Sequence, residues 1–175
     1  MKPTDPIRIA LEMSRDWAFL LAEDLADQPM KTVLPDGGNH AMWIVGHAAH
    51  SEGGLCGMIT GEPNPLEHWS ALFQQGSQPH HDASRYPPYR EVLDQFKKLR
   101  TQTIELTNTL SASDLDAKPK FIPDVLEGMP IFATVGSVLV FTAMHQMSHF
   151  GQLADIRAAL GRAPMLGVQP QPQPA

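Results

Sequence analysis

The residues of this chain best suited to chemistry are its histidines. In "MHQMSHFGQL", Met144 to Leu153, His145 and His149 stand four residues apart. An α-helix turns about 100° per residue and rises about 1.5 Å, so the two imidazoles lie about 40° apart around the axis and roughly 6 Å apart along it. That spacing lets two rings share one cation. The stretch "NHAMWIVGHAAHSE" carries His40, His47 and His50. His47 lies beside Gly46, Ala48 and Ala49, where a neighbouring helix can approach closely, and it is the expected third ligand. Three nitrogens from two facing helices would leave positions open for water or substrate, as catalytic rather than structural sites do. His50, three residues on, could replace or supplement His47.

Other environments fit the same spacing. Gly128 to Ala154 contains no Asp, Glu, Lys or Arg, and Val138, Phe141, Gln152 and Ile156 fall on the strip that carries His145 and His149. A pair of hydrogen-bonded core histidines would look the same. The run is long enough for a bilayer span, but Pro130, His145, Gln146, His149 and Gln152 would be costly in lipid. No membrane span is expected.

The residues around the histidines carry weaker signals. Gln152 is nearly in line with His149, one turn further on, and could hydrogen-bond a group behind the ligands or a substrate; helix packing explains it equally well. Arg157 could clamp an acidic substrate, although pairing with Asp155 or another helix carboxylate is the expected role. Gln146 stands where a zincin would carry its base, so H-E-x-x-H chemistry is not implied. Glu52 and Cys56 lie about 140° and 180° from His47 around their helix, facing away from the site; Cys56 is expected to be a small buried hydrophobe. His40 is expected at the helix entrance, and His68, His80 and His81 at the surface. Met144, Met147, Trp17, Trp43 and Trp69 are expected to be packing residues, and Asp36 and Asn39 turn and cap residues.

Four helices must position these groups. The first is expected over 6–26, with Asp5 as N-cap and Met13, Trp17, Leu20, Leu21 and Leu25 recurring at helical spacing. The second runs over 39–60, up to the stop signal "TGEPNP". A long connection, 61–88, follows, with a helical turn at "LEHWSALF". The third spans 89–110, with Val92, Phe96, Leu99, Thr103, Leu106 and Leu110 as its apolar stripe and Glu91, Asp94, Lys97, Lys98 and Arg100 on the wet side. "SASDLD" forms a capped turn and "KPKFIPDVLEGMP" is irregular. The fourth begins near Thr134 as N-cap and ends at "ALGRAP", with Gly161 just past its end and Pro164 closing the exit. The fold class is therefore all-α: a four-helix bundle with a long crossover connection between helices 2 and 3. The fourth helix is apolar nearly all round in its first half, so a partner subunit is expected to cover part of it, making a homodimer.

At 175 residues the chain is most simply one domain, residues 1–165, followed by a Pro/Gln-rich tail, 166–175. A net charge of -6 without a Lys/Arg cluster gives no support for nucleic-acid binding. The single cysteine excludes an intrachain disulfide and a cysteine-based zinc cage. The N-terminal "MKPTDPIRIALEMSRDW" lacks the pattern of a signal peptide, and a cytoplasmic location is expected.

These motifs resemble the DinB-like (DinB/YfiT) superfamily of metal-binding four-helix bundles. "NHAMWIVGHAAHSE" looks like its second-helix motif and "HQMSHFGQLADIRAALGRAP" like its last; "GEPNP", "YPPYREVL" and "LSASDLD" add weaker likeness. Phe150 departs from the basic or small residue frequent before Gly-Gln. The resemblance implies His47, His145 and His149 as ligands of a divalent metal, zinc or nickel. It also implies a small-molecule substrate and, by analogy with some relatives, a thiol-dependent S-transferase or isomerase with a low-molecular-weight thiol as cosubstrate. A metal-dependent hydrolase and a non-catalytic metal-binding or stress-response protein are the alternatives. No carboxylate sits one residue from a ligand, which favours thiol transfer over hydrolysis.

Overall fold

A computed structural model describes residues 1–34, 37–163 and 165. All regular structure among them is helical: α1 (Asp5–Asp24), α2 (Ala41–Thr60), α3 (Ser70–Phe73), α4 (Tyr89–Thr109), α5 (Ala112–Asp116) and α6 (Val135–Ala159), with four 3₁₀ turns between them. The four long helices pack as a closed ring: α1 against α6 and α4, and α2 against α4 and α6. No helix among the described residues is long and apolar enough to cross a membrane. Asp36, Pro164 and the tail 166–175 lie outside the described residues.

Local sequence explains the helix ends. The Thr134 hydroxyl accepts from Ser137 N–H and the Ser137 hydroxyl accepts from Thr134 N–H, a reciprocal cap that starts α6 where expected. Gly61 closes α2 at φ +79°, a left-handed conformation open to glycine, and Gly161 follows α6 at φ +69°. The cap of α1 is Thr4 rather than Asp5, which takes the first helical position beside Pro6. The cap of α2 is His40 rather than Asn39: its Nδ1 accepts from Trp43 N–H at 3.0 Å. "SALF" forms α3, and Ser111 caps α5.

Three expectations about which residues face inward need correction. On α1 the buried residues are Leu11, Ser14, Ala18, Leu21 and Ala22, whereas Met13 and Leu20 are exposed. On α6, Met144 and Met147 are also exposed rather than packed in the core. Arg100, expected on the wet side of α4, is fully buried and pairs with Glu52 of α2 at 2.9 Å. An apolar stripe is readable from hydrophobicity alone, but a charged residue is drawn inward by a partner on another helix, and no single-helix pattern reports that partner.

Candidate metal centre

The side chains of α2 and α6 meet where His47, His145 and His149 converge. His145 Nε2 lies 3.3 Å from His47 Nε2 and 3.2 Å from His149 Nε2, and one ligand atom from each ring falls within 4.8 Å of the others. Helical spacing brings the α6 pair together, and the α2–α6 contact supplies the third.

The groups behind the rings fix which nitrogen faces the centre. His47 Nδ1 sits 2.8 Å from the Phe73 carbonyl oxygen, which can only accept, so Nδ1–H donates and Nε2 keeps its lone pair. Asn39 donates to Gln152 Oε1, and His149 Nδ1–H donates to the same oxygen at 3.3 Å, again freeing Nε2. Two lone pairs therefore aim at His145 Nε2, whose single proton could serve only one of them. A cation serves all three nitrogens at once, so the donor set fits a divalent metal.

Burial keeps these rings neutral. It pushes the His47 pKa down to about 4 and the His145 pKa down to about 3, and it lowers that of His149. Nearby imidazoles add to the lowering at His47 and His145, while the bonds from Phe73 and Gln152 oppose it at His47 and His149. Trp43 stacks on His47 with centroids 4.8 Å apart and planes 3° from parallel, and its indole N–H donates to Ser77.

The close approach expected beside Gly46 comes from Phe73 at the end of the short helix α3 rather than from one of the long helices. A Cβ on Gly46 would stand 2.2 Å from the Phe73 ring. The glycine therefore lets in the residue whose carbonyl orients His47.

The remaining candidates separate cleanly. His50 is not part of the cluster; its Nε2 bonds Ser70 Oγ at 2.9 Å. Gln152 is exposed at the rim and holds His149 in place. Arg157 pairs with Asp24 of α1 at 2.9 Å, not with Asp155. His40 sits at the start of α2 and donates through Nε2 to the His80 carbonyl. His68 and His81 are exposed, His80 is half-buried, and Cys56 is half-buried rather than enclosed.

Sequence reasoning missed two features. Ser51 Oγ lies 3.4 Å from His47 Nε2; its i+4 spacing from His47 is the signal. Beneath the centre, Gln146 donates to Ala48 O and to Glu52, and Arg100 reaches both Glu52 and Ser14. Glu52 is the only charged residue of α2, and that isolation is the legible sign of a buried partner.

An all-α chain that turns three imidazole nitrogens from two helices onto one point belongs to the class of proteins able to hold a divalent metal between helices. The family comparison agrees: the DinB superfamily model matches residues 10–153, a span containing all three histidines, and the chain belongs to that superfamily. No curated protein matches the chain.

Proposed function

We propose that this protein is a metal-dependent enzyme of thiol transfer, built as a single four-helix bundle over residues 1–165 with the 61–88 connection as its crossover. His47, His145 and His149 hold zinc or nickel. The observation that carries this reading is the convergence of three imidazole nitrogens, with Nδ1 of His47 and of His149 committed to Phe73 and Gln152 and Nδ1 of His145 buried. When bound, the cation supplies Lewis acidity that lowers the pKa of a low-molecular-weight thiol brought to it.

The chain's own groups do the rest. Phe73 and Gln152 hold two rings in register, and Trp43 covers the His47 face against water. The Ser51 hydroxyl stands beside the open edge of the cluster and can hydrogen-bond an incoming group. In the net reaction the thiol sulfur bonds to an electrophilic carbon, the leaving group departs with the bonding electron pair, and the thiol proton is released. Transfer is favoured over hydrolysis because the cluster itself contains no carboxylate and Glu52, the acid nearest His47 in sequence, is committed to Arg100.

The protein is expected to act as a homodimer on a small-molecule substrate, with no nucleic-acid partner. Ile9, Met13 and Leu20 on α1 and Val140, Met144 and Met147 on α6 are exposed on two helices that pack side by side.

The test is a fluorescence assay with monochlorobimane and separate thiols (cysteine, glutathione, coenzyme A) on zinc- or nickel-loaded protein. Conjugation that needs both metal and thiol and disappears in His149→Ala supports transfer. Metal-dependent turnover of ester probes without any thiol would point to hydrolysis instead.

A further inference from the structure

A cavity of about 800 Å³ adjoins the histidine cluster, with His145 and Ser51 in its wall. One side is α2; the other is the irregular connection before α6. Leu55, Met58, Phe121, Leu126, Phe132 and Phe141 give it a mainly apolar lining. The size falls within the range of small-molecule sites, and a few polar groups in an apolar wall is their usual composition.

Gly54 carries the argument further. Glycine inside a helix is destabilising relative to alanine, so each one calls for a reason. A Cβ on Gly46 would strike Phe73, one on Gly53 would stand 2.2 Å from Asn64, and one on Gly57 would stand 2.6 Å from the Glu62 carbonyl. At Gly54 a Cβ meets only Asn64 Nδ2, at 3.7 Å. Neither packing nor a positive φ requires glycine there. What its missing side chain does is leave the cavity wall open, seven residues and about 10 Å along the axis from His47.

Charge narrows the occupant. Among the described residues no Lys or Arg lines the cavity, whereas Glu62 and Glu67 do. Away from the metal centre, the body of an anionic ligand would meet two carboxylates, the nearest lysine, Lys120, being tied to the Thr60 carbonyl. Phe121, Met129 and Ile131, which also line it, are 44–59% exposed, an apolar surface that a bound apolar molecule would cover.

We propose that this cavity is the acceptor-substrate site, taking an apolar small molecule without negative charge, its body lying over Gly54 and its reacting end at Ser51 and His145. The assignment rests on the thiol-transfer reading above. It places the electrophile between α2 and the 121–132 segment and disfavours acceptors that carry negative charge on the part lying over Gly54.

The experiment compares two dyes that share a scaffold: neutral N-phenyl-1-naphthylamine and its anionic counterpart 1-anilinonaphthalene-8-sulfonate, titrated by fluorescence into metal-free, full-length protein. The neutral dye should bind on the order of tenfold more tightly than the sulfonate. Gly54→Leu should weaken the neutral dye by a similar factor while melting no lower than wild type. Met129→Lys should shift the preference toward the sulfonate. Equal binding of the two dyes, or a folded Gly54→Leu protein that binds the neutral dye unchanged, would overturn the proposal. The metal-free titration does not depend on the metal centre, so failure of the cavity shows in the dye and failure of the centre shows in metal content.

Discussion

Glu52 Oε2 and Arg100 Nη2 stand 2.9 Å apart with both side chains wholly excluded from solvent. They tie α2 to α4 directly beneath the histidines, and Ser14 and Gln146 join them from α1 and α6. Burial lowers the Arg100 pKa, and the Glu52 carboxylate acts against that shift. All four long helices thus meet at one polar point inside an apolar interior.

Breaking such a pair strands a charge. Arg100→Met should destabilise the protein by about 3–5 kcal/mol, and the double variant Glu52→Leu/Arg100→Met should recover much of that loss. Urea unfolding of the wild type and the two variants measures both. A single variant that costs under about 1 kcal/mol would mean the pair is not sequestered.

Gly46→Ala should lower stability by about 1–3 kcal/mol through overpacking against the buried Phe73, despite alanine's better helix propensity. It should also weaken metal binding, because Phe73 carries the carbonyl that orients His47. Thermal melts and competition with a chelating dye report the two effects separately; unchanged affinity beside lowered stability would detach Phe73 from the site.

Gln152→Ala should reduce metal affinity by about 10–100-fold with little change in stability, since the residue is exposed but holds His149. Arg157→Ala, whose partner is Asp24, should leave affinity unchanged. If the two variants behaved alike, the distinction drawn between orienting and structural roles would fail.

His40 gives a pH signature distinct from the metal ligands. Burial lowers its pKa, opposed by its bond to the His80 carbonyl, with His81 and His80 adding smaller repulsions. Its neutral Nδ1 must accept from Trp43 N–H to cap α2. A lowered folded-state pKa means that the unfolded chain takes up the proton first. This contribution to stability is therefore complete above the ordinary value near 6.5 and is lost as pH falls towards the lowered one. His40→Asn keeps a capping side chain without a titrating group. Denaturant unfolding between pH 7.5 and 5.5 should show a shallower fall in the variant, by up to about 1.4 kcal/mol per pH unit. Identical slopes would contradict the capping role.

Much of this was legible because it depends on local spacing. His145 and His149 share a helical strip wherever that helix sits, and Thr134, Ser111, Gly61 and Gly161 act within a turn of their own helix ends. What needed the structure was the pairing of distant residues. Arg100 is on the same face as Phe96, Thr103 and Thr107, but its charge alone predicts solvent, and only Glu52 on another helix accounts for its burial. Phe73 lies 26 residues from His47, and nothing in "SALF" announces that its carbonyl meets an imidazole. Met13 and Leu20 show the reverse case: apolar character marks a residue for burial without saying whether its own chain or a second copy does the covering. Sedimentation equilibrium should therefore give twice the 19.2 kDa chain mass, falling to one in Met144→Lys/Met147→Lys; a monomeric wild type would leave that face unexplained.

The most direct test of the central claim is the metal content of purified, untagged protein, measured by plasma mass spectrometry beside a His145→Ala/His149→Ala variant. The convergent nitrogens predict roughly one zinc or nickel ion per wild-type chain and none in the variant. Absence of metal from the wild type, even after reconstitution, would contradict the account and leave the three histidines as packing residues of the core.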